Sequence, residues 1–313
     1  MKLISVVTPC YNEEENIDEV YKQVKKVFEG LSKYTYEHIF IDNNSRDRTV
    51  TILKDIAARD ANVKIIVNSR NFGFVRSPFY GLLQSGGDAA TILSADLQDP
   101  PALLIEFLER WENGFRIVIA VKKKSKFYGI MQVVKNVFYE IMKNMSEIDF
   151  IRNFSGYGLY DKSVIEALRK YDECYPNFRS LICEIGFEKA VVEYSRSARK
   201  KGKTKNNLYF LFDMSMLNIT NSSKVPLRIV TLLGFTISLI SIFVAFIYFL
   251  YKLIYWDNFG FGMAPLVMGL FFFSSMQLFF IGVVGEYIGL IYTQVFKRPL
   301  VIEKERINFD NNN

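Results

Sequence analysis

An α/β domain built on a parallel sheet, followed by two membrane-crossing helices, is the architecture this sequence predicts. Three observations carry it. Short apolar runs alternate with helical patterns up to Lys122. The loops that follow those runs are rich in Asp, Asn, Arg and Ser. Two uncharged stretches near the C-terminus each exceed the roughly 20 apolar residues needed to cross a hydrocarbon core.

The elements read in order along the chain. Residues 3–8 (LISVVT) form a buried strand closed by Pro9, and Ile17, Val20, Val24 and Val27 mark one face of a helix over residues 14–31. A strand at 36–42 (YEHIFID) leads to a helix over 46–59, and a strand at 63–67 (VKIIV) to a short helix near 77–84. A strand at 89–94 (AATILS), a helix over 100–113 and a strand at 116–121 (RIVIAV) complete the series. After Lys122 the pattern turns helical to about Met145, and NFSGYGLYD (153–161) reads as a loop. In sheets of this kind ligands bind beyond the carboxyl ends of the strands. The loops PCYNEEEN, DNNSRDRT, NSRNFG and ADLQDPP therefore gather the polar chemistry at one edge.

The C-terminal half differs in kind. Residues 229–251 and 259–285 carry no charge, which predicts two spans, and hydrophobic residues make up 50% of the chain. Lys224 and Arg228 precede the first span, and Lys297, Arg298, Lys304 and Arg306 follow the second. The positive-inside bias then expects both termini in the cytoplasm and a cell-membrane location. The apolar run at the N-terminus is too short for a secretory signal. Between the domain and the first span, 196–205 (RSARKKGKTK) holds six Lys or Arg, and 206–223 is amphipathic, as expected of a helix lying on the lipid. The expected organisation is a cytoplasmic domain at 1–205, juxtamembrane helices at 206–228, a transmembrane hairpin at 229–298 and a cytoplasmic tail at 299–313. The net charge of +6 concentrates near the membrane segments, which argues for a membrane or phosphate partner and not for nucleic acid. Cys10, Cys174 and Cys183 show no metal spacing and predict no disulfide. His38, the sole histidine, reads as structural.

PCYNEEEN, IDNNSRDRT, SRNFG and ADLQDPP, each after its strand, resemble the motifs of family-2 glycosyltransferases of the Rossmann-like GT-A fold. The likeness is closest to the membrane-bound polyprenyl-phosphate glycosyltransferases, the group of bactoprenol glucosyltransferases and dolichol-phosphate mannose synthases. It continues through GKTK (202–205), PLR (226–228) and GVVGEYIGLIYTQVFKRP (282–299), so it covers nearly the whole chain in order. The resemblance implies a metal-dependent, inverting transfer from a nucleotide sugar, a UDP-sugar as the first expectation, to undecaprenyl or another polyprenyl phosphate at the membrane. A homo-oligomer is left open.

Residue by residue, it implies that Asp96 and Gln98 hold Mg²⁺ or Mn²⁺. A carboxylate and an amide carbonyl from one loop suit a hard cation that accepts few protein ligands. Ser94 stands where the family's first Asp of Asp-x-Asp helps hold the ribose. Pro9, Tyr11, Glu13 and Asp42 would surround base and ribose, and Arg70 would reach the phosphates. Asn43 and Asn44 replace an Asp-Gly pair, and Asn44 tolerates the left-handed backbone of that turn. Asp99 before Pro100 reads as a helix cap. The acceptor phosphate, dianionic near neutral pH, needs positive charge more than a base. Lys122, Arg199, Lys203 and Lys205 are the candidates. One departure concerns the sugar: where bactoprenol glucosyltransferases commonly read Gly-Asp-Phe-Arg-Leu, this chain reads Ser155-Gly156-Tyr157-Gly158-Leu159, so glucose is not carried over. Two other readings compete. One is a non-catalytic membrane scaffold that binds a nucleotide sugar. The other is a processive polysaccharide synthase, opposed by the lack of Gln-x-x-Arg-Trp around Trp111 and Trp256.

Overall fold

The chain is described by a computed structural model covering residues 1–123, 151, 153–195, 224–254 and 263–309. The expected strands form as β1 (Lys2–Cys10), β2 (Tyr34–Asp42), β3 (Val63–Asn68), β4 (Ala89–Ile92) and β5 (Ile117–Lys122). Between them run α1 (Ile17–Glu29), α2 (Thr49–Ala57), α3 (Gly73–Leu83) and α4 (Leu103–Glu112). Next come β6 (Phe154–Asp161), α5 (Lys162–Arg169), α6 (Phe178–Glu184) and β7 (Lys189–Tyr194). The long helices α7 (Val225–Ile254) and α8 (Met263–Val295) precede β8 (Glu303–Ile307). The sheet order is β7-β5-β6-β4-β1-β2-β3-β8.

The alternation of strand side chains separates two apolar layers. Val6 joins Ile17, Val20 and Val24 of α1, Leu53 of α2 and Phe107 of α4 on one face. Val7 joins Phe79 of α3, Val164 of α5 and Ile182 of α6 on the other. Strands β1 to β4 pair in parallel, with Cys10 opposite Asp42, so their loops emerge together.

The sheet departs from an all-parallel one in two places. Residues 153–161, expected as a loop, form β6, which inserts antiparallel between β4 and β5. Strand β5 keeps its expected direction but is displaced one place outward, and β7 pairs parallel to it. The described part of the expected tail, up to residue 309, is also not separate from the α/β domain. Its β8 adds antiparallel to the edge of β3, because an open edge of unpaired N–H and C=O groups accepts any strand within reach. The sequence EKERI carries no apolar strand pattern; Ile307 packs against the core, and the other anchors of this segment are polar. Lys54 pairs with Glu305 at 2.7 Å, the Tyr80 hydroxyl donates to Glu303 at 2.9 Å, and Asn308 Nδ2 donates to Ala57 O and Val63 O at 2.9 Å each. Asn308→Ala should therefore cost about 1–2 kcal/mol of domain stability, read as a lower midpoint in chemical unfolding. No shift would show the tail to be passive.

His38 bears out its structural role. It is buried in β2, shares a hydrogen bond between its Nε2 and Thr8 Oγ1 at 2.9 Å, and stacks on Phe40 at 4.0 Å. Burial pushes its pKa down from 6.5 to about 3. The folded state therefore resists a proton that the unfolded chain takes up, so stability falls as pH drops from the unfolded value toward the folded one. At about pH 5 the loss should be on the order of 2 kcal/mol. Unfolding midpoints of the wild type and His38→Phe across that window test it, and an equally steep decline in both would remove His38 as the cause.

Helices α7 and α8 contain apolar windows of 27 residues each, Val225–Tyr251 and Gly269–Val295, and neither window is buried inside the protein. A core helix of a water-soluble domain would be covered, so exposure favours lipid. The second helix runs past the expected limit at 285 and through Glu286. The helical pattern from Lys122 to Met145 and the amphipathic stretch at 206–223 lie outside the described residues.

Candidate active site

A cavity of about 370 Å³ opens at the carboxyl ends of β1, β2 and β4, the size of a small-ligand site. Pro9, Tyr11 and Glu13 line it from the loop after β1, Asn43 from the loop after β2, and Ser94 and Asp99 from the loop after β4. Phe74 and Pro78 of α3 form an apolar side, and Ser155, Tyr157 and Asn177–Arg179 close the far wall. Of the expected nucleotide residues, the cavity thus gathers Pro9, Tyr11, Glu13 and Ser94.

Asp42 lies fully buried at the end of β2, behind the loop. It accepts hydrogen bonds from the Ser45 amide at 2.8 Å and from the Ser45 hydroxyl. Burial pushes its pKa up, and the Ser45 bonds oppose the shift. Ser45 Oγ in turn accepts the Asn12 amide at 2.8 Å, so Asp42 fixes the first two loops against each other. Asn44 has φ +64°, the left-handed turn that its glycine-like position requires. Asn43 is spent on structure: its Oδ1 accepts the Phe72 amide and Asn68 Nδ2 at 3.0 Å each, and its Nδ2 donates to Gly73 O at 3.0 Å. An aspartate at 43 could not donate that last bond.

Asp96 and Gln98 stand on the short arc between Ser94 and Asp99, both half-buried. The Gln98 amide donates to Asp96 Oδ1 at 3.2 Å. Between them Leu97 is held at φ +52° while buried, a strained conformation for a γ-branched side chain that costs about 1–3 kcal/mol. Among the described residues no three of His, Cys, Asp and Glu form a metal cluster. One carboxylate and one amide oxygen still fit Mg²⁺ or Mn²⁺, which take one or two protein ligands and fill the rest with phosphate and water.

Asp99 does not cap α4. That helix starts at Leu103 with Ala102 at its cap position and no side-chain bond there. Pro100 and Pro101 instead make a preceding turn, with Leu103 N donating to Pro100 O at 3.2 Å. Asp99 accepts the Tyr194 hydroxyl and faces the cavity. Arg70 stacks on Phe72 at 4.1 Å and stands outside the cavity wall. Lys122 ends β5, as expected, but is not part of that wall either. Arg199, Lys203 and Lys205 lie outside the described residues.

Arg179, overlooked in the sequence, is the one cation on the wall among the described residues. Its Nη1 donates to Phe154 O at 3.4 Å. The signal was available in Asn177-Phe178-Arg179-Ser180, an Asn cap whose side chain accepts from Ser180 N at 3.4 Å, with Arg179 in the first turn of α6.

Residues 5–169 match the Glycosyl transferase family 2 profile. The chain belongs to this family. Full-length relatives extend the match past the α/β domain. A Bacillus subtilis protein described as the uncharacterized glycosyltransferase YkcC is 35% identical over 308 residues, spanning 98% of this chain and 95% of that one. The prophage bactoprenol glucosyl transferase homolog of Escherichia coli is 33% identical over 307 residues, with 96% and 98% covered. The bactoprenol glucosyl transferase of Shigella phage SfII is 33% identical over 306 residues, with 96% and 97% covered. A solved structure of glucosyl-3-phosphoglycerate synthase from Mycobacterium tuberculosis, in complex with Mg²⁺ and UDP, superposes at a TM-score of 0.49 with 18% identity, covering 70% of this chain and 77% of that one. This glycosyltransferase thus joins a family-2 α/β domain to two helices able to cross a membrane.

Proposed function

We propose that the transferase moves a sugar from a nucleotide-sugar donor, with UDP-sugars the expected class, to polyprenyl phosphate at the cytoplasmic membrane face, inverting the anomeric centre. The observation that carries it is the cavity at the strand ends in a chain that also holds two uncovered apolar helices. Full-length relatives named bactoprenol glucosyl transferases support the lipid acceptor.

The residues divide the work. Tyr11, Glu13 and Ser94 line the cavity where the nucleoside would lie, over the loops that Asp42 and Ser45 lock together. Asp96 and Gln98 are the residues that would hold the divalent cation, which when bound offsets charge developing on the departing diphosphate. The acceptor phosphate carries its own negative charge and attacks without a general base, so a single displacement inverts the sugar carbon. Lys122, Arg199, Lys203 and Lys205, with Arg179 added, are the cations proposed to bring two anions together.

The test incubates purified full chain with Mg²⁺ or Mn²⁺, a panel of nucleotide sugars and undecaprenyl phosphate, and follows lipid-linked sugar by mass spectrometry. One donor should give product. No product from any donor would defeat the proposal.

A further inference from the structure

A smaller cavity of about 110 Å³ lies where α8 ends, lined among others by Arg76, Tyr175, Tyr292, Phe296 and Arg298. Three parts of the chain meet there: the start of α3, the turn at 172–175, and the last turn of α8 with the tail behind it. They are tied together by polar contacts. Gln294 Nε2 donates to Asp172 O, the Cys174 amide donates to Gln294 Oε1 at 3.4 Å, and Lys297 pairs with Asp172 at 3.0 Å. Tyr175 belongs to this cavity and to the larger one, so the two share a wall.

The charge in this place is uncompensated. Two arginines line the cavity and no carboxylate does, among the described residues. Arg76 donates through Nη2 to Pro299 O, but its Nε is buried without any hydrogen-bond partner. Burial, then the charges of Arg70 and Arg298, lower the Arg76 pKa. A buried donor left unmade is unfavourable, and like charges held around a void add to that. An anion relieves both, and the planar guanidinium fork suits phosphate above other anions.

Position names the source of the phosphate. The apolar window of α8 ends at Val295, directly before Phe296 and Arg298. The rings of Tyr292 and Phe296 lie 4.6 Å apart, tilted at 53°, an aromatic pair at the level where a membrane meets water. We propose that this cavity seats the phosphate of a membrane lipid. The seat rests on the membrane placement of α8 and not on the donor chemistry of the larger cavity. A polyprenyl phosphate and an anionic phospholipid present the same group, and the test separates them.

Full-length chain in neutral detergent is mixed with undecaprenyl phosphate, phosphatidylglycerol or undecaprenol, and retained lipid is counted by native mass spectrometry. The wild type should retain at least one of the two phosphate lipids and release the alcohol. Arg298→Gln should lower that retention about tenfold and Arg298→Lys less, since the charge persists but the fork does not. Arg298 makes no hydrogen bond among the described residues and only stacks on Phe296 at 5.3 Å. The Gln variant should therefore keep the wild-type unfolding midpoint, and Arg76→Gln supplies a second variant with the same expected direction. Selective loss of undecaprenyl phosphate identifies an acceptor seat, and selective loss of phosphatidylglycerol a bulk-lipid seat. Retention of both lipids by both variants at the wild-type level, or equal retention of the alcohol, overturns the proposal. Because the readout is binding, it stands or falls separately from transfer activity.

Discussion

Asp96→Asn should lower turnover about a thousandfold, the scale seen when a group that stabilises transition-state charge is lost. The substitution keeps the shape of the side chain and its acceptor for the Gln98 amide, so the left-handed Leu97 turn has no reason to reorganise. What disappears is the only charge of the proposed ligand pair. Gln98→Ala should cost less, about tenfold to a hundredfold, because it removes a neutral oxygen that water can replace. A second readout separates chemistry from folding: Mn²⁺ titration in the presence of UDP should weaken in Asp96→Asn, while the unfolding midpoint stays near wild type. Turnover within a few-fold of wild type would take Asp96 out of the metal role. It would also revive the scaffold reading that the sequence alone left open.

Legibility in the sequence followed the range of the forces involved. Strands β1 to β4 were visible because each is a local apolar run, and their shared edge follows from parallel pairing. That is why the sequence alone could assign Pro9, Tyr11, Glu13 and Ser94 to one place. Strand β6 was hidden because Gly156 and Gly158 give its sequence the composition of a loop, and its partners lie more than a helix away in the chain. Strand β8 was hidden because Glu303, Lys304, Glu305 and Arg306 look like a solvated tail; only the open edge of β3 makes them a strand. Asp99 misled through a local rule. Asp-Pro does favour a helix start, but a second proline delayed the helix to Leu103 and left the carboxylate to Tyr194. Arg179 was missed for the opposite reason, since its cap pattern is ordinary and only the fold brings it to the cavity.

Gly158 should prove the least replaceable residue of β6. A Cβ built there would stand 2.2 Å from Val118 O and 3.2 Å from Ile119 Cα, both backbone atoms of the neighbouring strand. No rotamer relieves such a contact; β5 and β6 would have to separate, and the bulge between Ile119 and Val121 with them. Gly158→Ala should therefore destabilise the domain by at least about 4 kcal/mol, and Gly158→Arg should yield no folded protein. Gly156 makes the informative contrast. Its φ of +93° penalises any side chain, but an added Cβ meets only the Phe178 ring at 3.5 Å, so Gly156→Ala should cost about 1–3 kcal/mol and still fold. Chemical unfolding of the detergent-solubilised variants measures both. The order bears on the sequence departure noted above, because Gly158 stands where the resembling bactoprenol glucosyltransferases commonly carry arginine. With β5 this close, the arginine cannot be restored by a single substitution; among the described residues the cation that lines the cavity is Arg179. A Gly158→Arg chain that folded and bound UDP like the wild type would refute so tight a pairing of the two strands. It would also reopen the family's usual arrangement for this enzyme.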